Sequence, residues 1–331
     1  MKLLSFILIA GSIHVSLAQC ETDFLSSSPI LDHPYMKENV LTKKTIPYEY
    51  VREADVVWSK RVWREIDLRE KINHPLYYPF DYHTPSGQYV RNANSWSLWT
   101  IMRHHIMNGE LKIFSPYNPY QFTLLDGDQF KYPIAPSPGG TYCNDSVFRE
   151  KVFYYLGKLG PEPEHPYSTV YGDDSVAVIN GVSQFVYPPR DTFWVDSEHI
   201  VKYLLKEDWF FDKERSVMDV RIMGIAPVVY KEEIGPDGKK MISGTETKFW
   251  VYFPHFRYFL TNYYAYNDKN DAQWISFDDL FWKRRFSSTV YKESNVFDRS
   301  IDSYRTGVDA LLESVDIIEG IRTFEQDVWN F

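Results

Sequence analysis

The chain has 331 residues, a formal net charge of −9, 17% aromatic and 24% charged residues. That content excludes wholesale disorder and can bury one large core or two ordinary ones. The acidic balance argues against a general nucleic-acid binder, whose phosphate contacts call for a basic footprint.

The N-terminus reads as an export signal. Lys2 gives a positive start, Leu3 to Leu17 is an uncharged apolar run, and Ser16 and Ala18 are the small residues that a cut after Ala18 requires. The run is short of the ~20 residues that span a bilayer. Residues 1–18 are therefore expected to be a cleaved signal peptide, with the mature chain starting at Gln19. Losing Lys2 takes the net charge from −9 to −10. Cys20 follows the cut, but Gln19 stands where a lipidation signal has a small residue, so lipidation is the minor reading. Cys143 is the only other cysteine. A Cys20–Cys143 disulfide is open in an oxidising compartment.

Residues 19–52 show no sustained period and are expected to form an extended arm. Ala54, Trp58, Val62 and Ile66 then recur every four residues, which predicts a helix over about 54–73, ended by Pro75. A second helix is expected over Ser95–Asn108, with Leu98, Ile101, Met102, His105 and Ile106 inward and Gly109 as its stop. Phe114 to Tyr142, rich in Pro, Gly, Tyr and Asn, reads as a long ordered loop. Asp145 or Ser146 caps a third helix through Leu156. Residues 53–160 thus form a mainly helical part, and 161–174, with Pro161, Pro163 and Pro166, read as a linker.

In 175–331 a short helix is expected at Ser197–Lys206. Met218, Val220 and Ile222 alternate with Asp219 and Arg221 in a half-buried strand over Ser216–Lys231. Gly235-Pro236-Asp237-Gly238 is turn chemistry, and Glu246–Phe259 returns as the second strand of a long hairpin. Helices over Phe277–Ser294 and Ser303–Val328 complete the reading. The expected class is α+β, with helices flanking a small, mostly antiparallel sheet built around that central β-hairpin. One compact body with long loops and two domains both fit the pattern.

Motifs for covalent chemistry are missing. His104 and His105 are neighbours and point about 100° apart on a helix, so they do not share a metal easily. There is no His-Glu-x-x-His, no zinc-spaced cysteine pair and no Gly-x-Ser-x-Gly elbow. Cys143 lies in a loop with no signature of a catalytic thiol. Asp173-Asp174 and Asp278-Asp279 are acidic pairs, and Asp278 reads as the start of a helix. Gly235 to Lys240 lacks phosphate-loop spacing. A membrane barrel fails on the helical, acidic C-terminal stretch. No catalytic, cofactor or metal residue is assigned. What remains is aromatic-basic surface: Trp58, Arg61, Trp63 and Arg64, and then Trp282, Arg284 and Arg285. These residue types dominate protein–protein hot spots, so the seven are candidate interface residues.

Four runs resemble one family. They are DVVWSKRVWREIDLREKINHPLYYP (Asp55 to Pro79), KEDWFFDKERSVMDVRIMGIAP (Lys206 to Pro227), SFDDLFWKRRFSSTVYKESNVFDR (Ser276 to Arg299) and DALLES (Asp309 to Ser314). Across about 54–331 the chain is similar to the GldN family, called PorN in non-gliding relatives. The resemblance implies a periplasmic component of the type IX secretion and gliding machinery of the Bacteroidota. Implied partners are a GldK/PorK-like lipoprotein, with which the family forms a ring, the periplasmic domain of a GldM/PorM-like motor protein working with GldL/PorL, and further copies of the chain itself. It implies no cofactor, no nucleic acid, no membrane span and no catalytic residue. The competing expectation is a periplasmic enzyme such as a cell-wall hydrolase.

Overall fold

The computed structural model describes residues 44–84, 88–93, 95–121, 125–160, 176–179, 182–185, 187, 191–234, 240–267 and 275–329. The signal peptide, most of the arm, Cys20, the 161–174 linker, Asp173-Asp174 and the 235–238 turn lie outside them. The described residues all fall within one compact unit, Leu41–Phe331.

The centre is one eight-stranded sheet, antiparallel at every pairing. Its strands are β1 (Val56–Asp67), β2 (Ile113–Phe114), β3 (Pro133–Ile134), β4 (Ile200–Asp212), β5 (Val217–Ile234), β6 (Lys240–Thr247), β7 (Trp250–Tyr252) and β8 (Thr289–Glu293). They lie in the order β8-β1-β4-β5-β7-β2-β3, with β6 paired to the far half of β5. The helices are α1 (His74–Tyr77), α2 (Leu98–Met107), α3 (Ser146–Leu156), α4 (Phe253–Leu260), α5 (Phe277–Trp282) and α6 (Val308–Trp329). The α+β class holds, and the long hairpin is present as β5–β6. The sheet is not small.

Three expected helices are corrected. The expected 54–73 helix is instead the strand β1 over Val56–Asp67, with short 3₁₀ turns at Glu53–Asp55 and Lys71–Asn73, because a four-residue recurrence is also every second step of a two-residue alternation. Trp58, Val62 and Ile66 share one face of a strand as well as they share one face of a helix. Lys60 and Arg64 occupy that same face and mask the alternation, while the β-branched and aromatic run Val56, Val57, Trp58, Val62, Trp63 favours a strand. The expected Ser197–Lys206 helix is a short 3₁₀ turn, Ser197–His199, followed by β4, which is buried on both faces at its centre and so shows no clean alternation. The expected Phe277–Ser294 helix stops at Trp282, and Thr289–Glu293 pairs with β1 instead. The return strand of the hairpin is β6, Lys240–Thr247, earlier than the expected Glu246–Phe259; that segment holds the short β7 and then α4, with Pro254 in the first turn of the helix, where its missing N–H costs nothing.

Other local expectations hold. Ser97 accepts from Thr100 N at the start of α2, and the five inward residues of that helix are buried. Gly109 ends it at φ +75, where a Cβ would meet the Gly140 carbonyl. Asp145 accepts from Val147 N and Phe148 N to cap α3. The final helix runs as α6, beginning at Val308 after a 3₁₀ turn at Ile301–Ser303.

One face of the sheet carries Val62, Ile66, Tyr203, Leu205 and Ile225. Helices α2 to α5 cover one part of it, and α6 covers Val62 and Val290 with Ile317, Ile318 and Ile321. The opposite face gathers Trp63, Leu204, Ala226 and Trp250 with Phe114 and Phe130. The main core draws residues from both sides of the 161–174 segment. No described helix is long and apolar enough to cross a membrane.

Candidate interaction surface

The β1 candidates divide by strand parity. Trp58 and Arg64 point to the helical side, Arg61 and Trp63 to the other. Trp58 stacks on Phe324 of α6 with ring centres 4.6 Å apart. Arg64 Nε donates to Ser288 Oγ at 2.8 Å and Nη2 to the Ser288 carbonyl at 3.1 Å, and burial pushes this guanidinium below the ordinary arginine value. Arg61 makes a two-pronged pair with Asp208 on β4, at 2.5 and 2.9 Å, and that bond raises its pKa. Trp63 is buried, and its Nε1 donates to Asp128 Oδ2 at 3.1 Å.

Beside Trp63 lies an open cleft of about 440 Å³, lined by Arg61, Asp128, Phe130, Lys206 and Tyr252 among others. Lys206 is buried there and donates to the Asp128 carbonyl at 2.6 Å. Burial lowers its pKa, with the Asp128 charge opposing. The cleft's cations are already matched: Arg61 to Asp208 and Lys206 to Asp128, with Lys292 on Asp298 at its edge. Charge neutralised inside the chain leaves little pull for an outside ion.

The second group sits at the end of α5. Arg284 adopts φ +50 just past the helix, and this left-handed step turns its side chain onto the sheet. Its Nη2 donates to Glu207 at 2.8 and 3.1 Å, and Glu207 is 0% exposed. Arg284 therefore neutralises a buried carboxylate. Trp282, by contrast, is 49% exposed, and Lys283 and Arg285 are exposed on either side of Arg284.

Sequence reasoning missed the residues that support Trp282. Arg257 of α4 pairs with Asp278 of α5 at 2.7 and 3.1 Å, with both groups buried. Its guanidinium lies 4.3 Å from the Tyr48 ring centre and 4.8 Å from that of Trp282, and the two rings stack 5.7 Å apart. Thr45 bonds Thr261 at 2.8 Å and Arg221 donates to the Glu49 carbonyl at 2.6 Å, so the end of the arm is fastened to the body. Burial raises the Tyr48 phenol above its ordinary value. A cleft of about 170 Å³ remains between these groups. The Asp278-Asp279 pair was visible in the sequence, but its partner is 21 residues upstream on another helix.

The groups that an enzyme reading would use are committed elsewhere. His105 contacts Glu110 at 2.5 Å and Tyr263 at 2.9 Å, whereas His104 lies against Arg91 and Asn108, and burial lowers both imidazoles. His83 resembles part of a triad, since its Nδ1 lies 2.5 Å from Asp196. Its Nε2, however, accepts from Arg103 at 2.9 Å, so the nitrogen a base would use is occupied. Cys143 is an exposed thiol. Among the described residues no cluster of three or more His, Cys, Asp or Glu is placed to hold a metal.

Compared with known families, residues 51–330 match the family described as gliding motility associated protein GldN. No curated protein matches the chain.

Proposed function

The chain belongs to the GldN family, and on that premise we propose that it is a non-catalytic structural subunit of the type IX secretion and gliding machinery. In this reading it is exported to the periplasm and held at the outer membrane by partners. It forms a ring with a GldK/PorK-like lipoprotein, associates with its own copies there, and meets the periplasmic domain of a GldM/PorM-like motor protein. The observation that carries the reading is the family match over nearly the whole folded body. The geometry agrees with a role in bearing load: a continuous antiparallel sheet with strands of 12, 13 and 18 residues side by side resists shear through many parallel-acting hydrogen bonds.

The test is to tag the lipoprotein partner, solubilise the envelope gently and ask what co-purifies. Stoichiometric recovery of this chain in a large annular particle is expected. A chain that stays in the soluble periplasmic fraction as a monomer, and that cleaves isolated cell wall, would establish the hydrolase reading instead.

A further inference from the structure

Helix α6 spans 22 residues and is amphipathic in an unusual way. Its contact with the sheet fixes its rotation: Ile321 and Ser314 are buried, and Ser314 Oγ accepts from Val290 N at 2.9 Å. With that side inward, Val308, Leu311, Leu312 and Val315 point out. They are 71%, 56%, 56% and 61% exposed, and their spacing places them on adjoining turns of one face. Single exposed aliphatic residues are ordinary, whereas a contiguous patch of four marks a docking surface.

The chemistry around the patch selects its occupant. From Val308 to Glu319 the helix carries Asp309, Glu313, Asp316 and Glu319 and no lysine or arginine; Glu313 is paired with Arg305 at 3.6 Å and Glu319 with Arg322 at 3.7 Å, and among the described residues no ion pair holds the exposed Asp309 and Asp316. A partner must therefore offer apolar area surrounded by cations. The same chain offers such a surface at the end of α5: Trp282, half exposed, beside exposed Lys283 and Arg285. Among the described residues no ion pair holds either cation. Tyr48, Arg257 and the Arg284–Glu207 pair hold this surface rigid, which lowers the cost of ordering it on contact.

We propose that the Val308–Val315 face of α6 docks onto the Trp282–Lys283–Arg285 surface of a second copy of this chain. The two patches are different, and used head to tail they give a heterologous contact that repeats from copy to copy. This rests on the assembly reading above and adds the surfaces through which one copy meets the next.

The experiment uses two exported, full-length variants. The first, Leu311→Asp with Leu312→Asp, spoils the helix face. The second, Lys283→Glu with Arg285→Glu, spoils the basic patch. All four positions are exposed, so unchanged circular dichroism and melting temperature are expected. Each variant alone should lose self-association by about tenfold or more, as expected for losing central apolar contacts or reversing charge. Mixed together, they should form a one-to-one dimer that grows no further, because each copy keeps one good patch. Normal self-association of either variant, no dimer in the mixture, or a wild-type chain that does not self-associate would overturn the proposal. Capture by the tagged lipoprotein is read in parallel. Retained capture with no effect on self-association means the surfaces are wrong while the assembly reading stands. A helix variant that loses only lipoprotein capture assigns the α6 face to that protein and overturns the proposal.

Discussion

Strand β1 and the end of α5 carry the same kinds of residue and use them in opposite ways. In β1, Trp58 and Trp63 are packed and Arg61 and Arg64 are held by Asp208 and Ser288, so the aromatic-basic run builds the sheet. After α5, only Arg284 turns inward, and Trp282 and Arg285 remain at the surface. Residue type alone therefore does not tell a packed side chain from one left at the surface. A strand in mid-sheet has neighbours on both edges and layers on both faces, so its guanidinium groups find internal partners. A helix end projects, and a single left-handed residue decides which side chains go in.

If this contrast is right, removing charge from a buried pair should hurt most. Arg257→Met leaves Asp278 buried and unpaired, and about 3–5 kcal/mol of stability should be lost, read as a lower urea midpoint. Next, the two tryptophans should separate cleanly. Trp63→Ala is expected to cost about 3 kcal/mol or more, since it opens the core and strips a partner from Asp128. Trp282→Ala should cost at most about half as much, because its ring is half in water already, while weakening self-association. Equal costs would abolish the distinction between the two regions. Losing the Ser97 cap of α2 through Ser97→Ala should cost about 1 kcal/mol.

A titration sharpens the same point inside the body. Burial lowers the His105 imidazole below its ordinary pKa of about 6.5. The unfolded chain then binds a proton more readily than the folded one. The contribution of this residue is fully present above about pH 6.5 and declines as the pH falls below that value, until the folded form protonates as well. His105→Gln should reduce the drop in urea midpoint between pH 7.5 and 5.5, and an unchanged drop would count against it. The smallest effect is expected for the exposed Arg61–Asp208 pair. Arg61→Ala should cost about 0.2–1 kcal/mol, and less in high salt, as judged from urea midpoints at two ionic strengths.

How much could be read in advance follows the same physics. Helices α2 and α3 were legible because a stop residue and a cap act locally, within a turn: Gly109 ends α2 and Asp145 caps α3. Strand β1 was misread because its partners lie far away in the chain. Val62 pairs with Glu207 and Glu293, and no window around β1 contains either. For the same reason the sequence points to a small sheet: β8 and the β2–β3 pair are too short to announce themselves. Of the seven candidate interface residues, the structure leaves Trp282 and Arg285 at the surface beyond α5. Trp58, Trp63, Arg64 and Arg284 are drawn into packing or hydrogen bonds, and Arg61, though exposed, is paired. In sequence Leu311, Leu312 and Val315 of α6 look the same as Ile317, Ile318 and Ile321, yet the first three are exposed and the last three pack toward the sheet. Only the position of β8, through Ser314, tells the two sides apart.

Hydroxyl-radical footprinting of the native assembly against the isolated chain tests the central contrast most directly. Trp282, Leu311 and Leu312 are expected to lose labelling on assembly, while Trp58 and Trp63 label weakly in both states and change little. Trp282, Leu311 and Leu312 labelled equally in both states, with new protection confined to residues around β1, would contradict it.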